Sequence, residues 1–230
     1  VYRSAKGGTP SKLNTAPITA TTNFVDSTAN FAQTNVYTVR PIRAGRELAA
    51  SAPATLGANA PVQQFLTVPL QRPEGGSVDV PAGARTMNYT YSPNDTGVGD
   101  LDGDGEYEIV VKWDPSNARD TASPGLSGRP LLDAYRLDGT RLWRIDLGKN
   151  IRAGAHYTQF IVYDLDGDGR AEVACKTADG TDDGQGRAIG DVSKDYRSLE
   201  VPTDGLQVKD PSDRRYGKVL AGPEYFTIFD

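Results

Sequence analysis

"VGDLDGDGEYEIVVK" (residues 98–112) and "VYDLDGDGRAEVACK" (residues 162–176) are one phrase written twice, every position displaced by 64. Nine of the fifteen aligned residues are identical. Carboxylates this dense repel one another unless a cation sits among them. In the first copy, acids fall at positions one, three and five (Asp100, Asp102, Asp104) and again at nine (Glu108). Gly103 and Gly105, at four and six, let the backbone coil around a centre, and the carbonyl of Glu106 at seven would point inward. The second copy supplies Asp164, Asp166, Asp168, the carbonyl of Arg170, and Glu172. Oxygen-only ligands at this spacing suit calcium, which takes roughly six to eight oxygens at about 2.3–2.6 Å.

The opening of each loop matches an EF-hand and the close does not. Position twelve should be a bidentate Glu, but it is Val111 in one copy and Cys175 in the other. The residues that follow alternate like a strand. The expectation is a strand-leading calcium loop closed by the ninth-position Glu, with a structural ion whose binding energy becomes folding energy.

Outward from the loops, each copy runs into a strand, "EIVVKWD" and "EVACKTAD". Between the copies, "LLDAYRLDGTRLWRIDL" (residues 131–147) reads as two strands around Asp138-Gly139, a hairpin turn in which both residues would need positive φ. A repeat of this length built from hairpins points to propeller blades. Residues 1–84 differ in character, being rich in Ala, Thr, Pro and Ser, with β-like runs "PITATTNFVDS", "NVYTVRPIRAG", "RELAASAP" and "FLTVPL" that suggest an all-β sandwich. "RPEGGSVDVPAG" (residues 72–83) reads as the connection to a second domain over residues 85–230.

Composition agrees with this reading. The 230 residues hold 25 Gly and 15 Pro, which favours turn-rich β structure over helix. The net charge of -5 and the lack of any basic stripe argue against a nucleic-acid partner. No apolar stretch reaches the ~20 residues of a membrane helix. Cys175 is the single cysteine, so no internal disulfide forms, and it reads as a small buried hydrophobe. The chain opens and closes on strand-like text, "VYRSAKGG" and "YFTIFD", which suggests a piece of a longer protein.

Other residues carry open alternatives. His156, the single histidine, is either a general base or a packed, hydrogen-bonded side chain, the commoner role. Asn94 and Asp95 in "YTYSPNDTGVGD" and Asp114 in "KWDPSN" are expected on loops at the rim of the first metal loop, as turn formers or ligand contacts. Asp179, Asp182 and Asp183 in "ACKTADGTDDGQG" are metal-adjacent or merely solvated.

Four stretches, "YTYSPNDTGVGDLDGDGEYEIVVKWDPSN", "LDAYRLDGTRLWRIDLGKNIRAGAHYTQF", "VYDLDGDGRAEVACKTADGTDDG" and "GPEYFTIFD", closely resemble the rhamnogalacturonan lyases of polysaccharide lyase family eleven. The similarity covers about residues 88–230. The first 80 or so residues are similar, less specifically, to that family's fibronectin-type-III-like β-domain. The resemblance implies an all-β protein whose residues 85–230 are the first blades of an eight-bladed calcium-binding propeller. It further implies a secreted, monomeric enzyme that cleaves the rhamnogalacturonan backbone of pectin by calcium-assisted β-elimination. Asn94 and Asp114 carry over as substrate contacts; the base does not carry over, and His156 stays a candidate only. Two or three blades of eight would be inactive alone. The rival reading is a non-catalytic calcium-stabilised propeller that recognises a partner. It shares the acidic loops but need not share "KWDPSN" and "NIRAGAHYTQF".

Overall fold

The computed structural model describes residues 1–61, 65–78, 87–120, 122–199 and 214–230, and the backbone of two short strands between residues 201 and 208. Among these residues every regular element is a strand, so the protein is all-β as its composition suggests. No helix is long and apolar enough to cross a membrane. The chain divides into two compact units, Val1–Leu66 and Thr67–Asp230. The boundary expected between residues 84 and 85 lies outside the described residues.

The first unit is built on a four-stranded antiparallel sheet ordered β2-β1-β3-β6, with β1 (Tyr2–Ala5), β2 (Ser11–Lys12), β3 (Asn35–Thr38) and β6 (Ala54–Leu56). A short hairpin joins β4 (Ile42–Arg43) to β5 (Arg46–Glu47). Of the expected β-like runs, "NVYTVRPIRAG" supplies β3 and β4, and "RELAASAP" supplies β5. "PITATTNFVDS" and "FLTVPL" form no strand, because neither finds a partner edge and strand propensity without pairing is insufficient. Asp26 ties its segment to the sheet through Arg3 (2.6 Å), Tyr37 (2.9 Å) and the Thr28 amide (2.9 Å).

In the second unit, β7 (Gly76–Val78) pairs with β8 (Met87–Tyr89). A meander follows: β9 (Tyr91–Gly99), β10 (Glu108–Pro115), β11 (Leu131–Tyr135) and β12 (Arg141–Asp146). After it come β13 (Phe160–Tyr163), β14 (Glu172–Thr177), β15 (Thr181–Asp182), β16 (Ala188–Ile189), β17 (Val201–Thr203), β18 (Leu206–Val208) and β19 (Tyr225–Phe229). The larger sheet runs β16-β15-β12-β11-β10-β9 and the smaller β13-β14-β19.

The written repeat is also a structural repeat. Glu108 faces Gly99, Ile109 faces Val98, Val110 faces Gly97 and Val111 faces Thr96; adding 64 to each number gives the four pairs between β14 and β13. The third strand obeys the same register, with Ile109 opposite Tyr135 and Val173 opposite Phe229. β9 and β13 then lie side by side because β9 is small there. A Cβ on Gly97 would lie 2.6 Å from Val162 Cγ2, and one on Gly99 2.5 Å from Ala171 Cβ.

β10 is covered on both faces, as its near-continuous apolar run requires. Val110 joins Leu132, Ile145, Leu147, Val173 and Cys175 in one core cluster, while Val111 and Trp113 join Tyr91, Leu131 and Tyr135 in another. Cys175 is buried as expected, and burial pushes its thiol up to about 12, which makes it inert. Asp133, fully buried, accepts hydrogen bonds from Trp113 Nε1 (3.0 Å), Tyr135 (2.8 Å) and both arms of Arg144 (2.6 and 2.7 Å). The β11–β12 hairpin forms, but only Gly139 has positive φ (88°). Arg136 N–H donates to the Thr140 carbonyl and Gly139 N–H to Arg136, so a three-residue loop with a left-handed glycine replaces the expected two-residue turn.

Candidate functional site

Each acidic loop is wound by five hydrogen bonds, and the set is the same in both copies. In the first, Asp100 accepts from the amides of Gly103 (2.7 Å) and Gly105 (2.8 Å), and Asp102 from Asp104 (3.2 Å). Asp104 accepts from Glu106 (2.8 Å) and Glu108 from Leu101 (2.8 Å). In the second, Asp164 accepts from Gly167 (2.7 Å) and Gly169 (3.1 Å), Asp166 from Asp168, Asp168 from Arg170, and Glu172 from Leu165 (2.6 Å). The four loop glycines all have positive φ, from 78° to 97°, which explains why this residue type recurs at positions four and six.

The closing glutamate of each loop is the first residue of a strand and is buried, Glu108 to 2% and Glu172 to 5% exposure. Burial raises the Glu108 pKa, the Leu101 amide opposes this, and the charges of Asp102, Asp104 and Asp100 raise it further. A cation at the loop centre would relieve that repulsion. Asp100, Asp102 and Glu108 bring one oxygen each within 4.8 Å of one another, as do Asp164, Asp166 and Glu172. That spread suits a cation with oxygens at about 2.3–2.6 Å, so the residues fit a hard divalent metal. Asp104 and Asp168 lie outside the two converging triads.

The loops also touch each other. Ala171 N–H donates to the Asp100 carbonyl (2.7 Å), and the Arg170 side chain lies over Gly103. Arg136 Nη2 stands 2.6 Å from Asp102 Oδ2.

Asn94 and Asp114 are on strands, not loops, and at the opposite end of the hairpin from the metal loop. Asp114 is six residues along β10 from Glu108, about 20 Å at strand rise. Between the pairs Thr96–Val111 and Pro93–Trp113, β9 advances three residues while β10 advances two, so Asn94 and Asp95 form a β-bulge. Asn94 Oδ1 accepts from the Asp95 amide (2.8 Å). Asp95 reaches Lys112 Nζ (2.7 Å), a fully buried lysine beneath the bulge. Asp114 faces Ser92, and its Oδ1 is buried with no hydrogen-bond partner among the described residues. Burial raises its pKa, Lys112 opposes this and Asp95 adds to it.

His156 belongs to the same end. Its segment meets Arg119 and Asp120, which follow the end of β10. Arg119 N–H donates to the Ala153 carbonyl (2.9 Å). The buried Arg152 donates to the carbonyls of Asp120 (3.1 Å), Ser123 (2.5 Å) and Gly125 (3.1 Å). His156 Nδ1 lies 2.6 Å from Asp120 Oδ1, with both side chains exposed. Tyr157 beside it sits between Arg152 and Lys176, at 5.4 and 5.7 Å from its ring centre. Sequence reasoning passed over Lys112, although it is one of the nine repeated residues, and Asp120, whose pairing with His156 only the fold brings about. Asp179 is structural, accepting from Tyr196 (2.8 Å) and Tyr225 (3.2 Å), and Asp183 winds its own turn through Gln185 and Arg187. Asp182 pairs with Asp146 in the sheet.

Residues 65–230 match the family model "Rhamnogalacturonan lyase family 11, C-terminal domain". Over 229 residues the chain is 52% identical to rhamnogalacturonan endolyase YesW and 49% identical to rhamnogalacturonan exolyase YesX, both of Bacillus subtilis (strain 168). Each alignment covers 100% of this chain and 32% of the relative. Its structure is similar to the crystal structure of rhamnogalacturonan lyase YesW and to a Bacillus licheniformis rhamnogalacturonan lyase PL11, each with a TM-score of 0.74 at 50% identity, covering 99% of this chain and 34% of the other. The chain thus spans about a third of the length of these relatives. It belongs to rhamnogalacturonan lyase family 11.

Proposed function

We propose that the chain is part of a secreted, monomeric lyase that cleaves the rhamnogalacturonan backbone of pectin by β-elimination at a galacturonate. The observation that carries this reading is identity of about half the residues along the whole chain to an endolyase and an exolyase of rhamnogalacturonan. In the same reading the second unit forms blades of a calcium-stabilised β-propeller, and the first is a fibronectin-type-III-like β-domain. Two sheets with identical inner registers, set side by side at Gly97 and Gly99, are what adjoining blades require.

Elimination needs the galacturonate C5 proton made acidic by a cation near the carboxylate, a base at C5, and a proton for the leaving oxygen. The carboxylates of the two acidic loops would hold calcium, which would assist by fixing the strands. Glu108 of the first loop stands about 20 Å along β10 from Asp114, too far to reach the same sugar. Asn94 and Asp114 then bind sugar hydroxyls at the opposite end, Asp114 accepting and Asn94 both donating and accepting. His156, oriented by Asp120 through Nδ1, is the residue of this chain with the geometry of a base. A span one third of the relatives' length contributes one wall of a central cleft, and we propose that it has no lyase activity by itself.

The test is the product. A chain of the relatives' full length carrying this span should release unsaturated uronates from rhamnogalacturonan and be far slower on polygalacturonate. New reducing ends without unsaturation would mean hydrolysis and overturn the proposal.

A further inference from the structure

The two acidic loops share backbone, register and all five winding hydrogen bonds, yet a cation contacts a converging carboxylate in only one of them among the described residues. Asp102, one of the three converging carboxylates of the first loop, gives Oδ2 to Arg136 at 2.6 Å. Its other oxygen receives the Asp104 amide. Asp166, its counterpart, receives the Asp168 amide in the same way. Among the described residues, however, no cation pairs with Asp166, Asp164 or Glu172.

Register explains the asymmetry. Tyr135 faces Ile109 on the third strand of the first repeat, and Phe229 faces Val173 on the third strand of the second. The next residue is Arg136 in one copy and Asp230 in the other, a cation replaced by an anion at the same place in the repeat. The Arg170 side chain, which belongs to the second loop by sequence, also leans over Gly103 of the first. Glu106 adds an acid to the first loop, but it is solvent-exposed and outside the converging triad.

We infer that the two loops are unequal metal sites, and that Arg136 is an internal counter-ion which weakens the first and leaves the second tight. This rests on the reading of both loops as calcium sites. A guanidinium on a ligand oxygen lowers the charge that oxygen offers and repels the incoming dication. By the same argument the second loop, whose three converging carboxylates pair with no cation among the described residues, is the tighter site. The pair therefore divides the work into a permanent clasp and a calcium-responsive one.

The experiment is calorimetric titration of the chelator-stripped chain with calcium chloride. Two classes of site are expected, differing by about tenfold or more in affinity. Asp102→Asn should delete the weak class and Asp166→Asn the tight one. Arg136→Gln should tighten the weak class by about tenfold, whereas Arg136→Lys, which keeps the charge, should leave it weak. Two equal sites in the wild type, or weaker binding in Arg136→Gln, would overturn the inference while leaving the loops as calcium sites. Absence of heat at both loops would instead remove the calcium reading beneath it. The wild-type comparison and the Asp variants decide the matter even if Arg136→Gln fails to fold.

Discussion

The two ends of the β9–β10 and β13–β14 hairpins differ in how faithfully they are copied. At the loop end, the acids at positions one, three, five and nine of one repeat have their twins 64 residues on, with the same amide partners. At the far end, Asn94 answers to Thr158, Asp114 to Ala178 and Ser92 to His156. The copied end satisfies five amides in each loop, as architecture demands. The uncopied end holds a β-bulge, a carboxylate oxygen without a partner among the described residues and an exposed Asp–His pair. Departures from local consistency gather where function does. The repeat sets the two sheets together, and the differences between the repeats gather at the far end, where the proposed substrate contacts lie.

The largest expected effect would establish that division directly. In a chain of the relatives' full length, Asp114→Ala or Asn94→Ala should lower rhamnogalacturonan turnover by about a hundredfold. The shift in melting temperature on adding calcium should stay as in the wild type. If that shift disappears together with activity, the two ends are one cooperative structure and the division fails.

Next in size is the converse experiment. Asp166→Ala should abolish the stabilisation that calcium gives through the second loop, about 2–3 kcal/mol at a hundredfold excess over Kd. Thermal melts with and without chelator measure it. A variant as sensitive to chelator as the wild type would mean that the second loop holds no ion.

Gly99 tests whether the two repeats depend on each other. A Cβ there would meet Ala171, the residue whose amide binds the Asp100 carbonyl. Gly99→Ala should therefore cost about 1–3 kcal/mol by overpacking, read from urea denaturation. A neutral substitution would show that β9 and β13 can part without loss.

The loop end was legible in sequence because it is local. Five hydrogen bonds within nine residues, and glycines where φ must be positive, leave their mark on consecutive letters. β10 and β14, the β11–β12 hairpin and the buried Cys175 were legible for the same reason. The far end is assembled from residues that only the fold brings together. Asn94 looked like a loop residue beside Pro93, yet the bulge keeps it within β9. Its distance from the metal loop follows from strand length, which the motif does not specify. Asp120 lies 36 residues from His156, and Arg136 lies 34 from Asp102. "FLTVPL" carries strand residues yet pairs with no strand among the described residues, because partner edges are a tertiary property.

The smallest effect is the one most particular to the far end. Burial raises the Asp114 pKa above its ordinary value, with Asp95 adding to and Lys112 opposing that shift. Between the unfolded value and the raised folded one, the folded protein holds a proton on Asp114 that the unfolded chain has released. This contribution to stability is fully present below the unfolded value of about 3.9. It is lost as pH rises through the raised folded value. At neutral pH the Asp114 carboxylate is thus a charge kept at a cost, with Oδ1 buried and without a partner among the described residues. Asp114→Asn, nearly the same shape without the charge, should raise the melting temperature at pH 7 by the equivalent of up to about 1 kcal/mol. The advantage should vanish below about pH 4, while rhamnogalacturonan turnover falls. A protein that gains stability by losing a carboxylate and loses activity by the same change keeps that carboxylate for its substrate. Equal destabilisation at both pH values would mean that Asp114 is a partnered structural residue, and the contrast between the ends would rest on Asn94 alone.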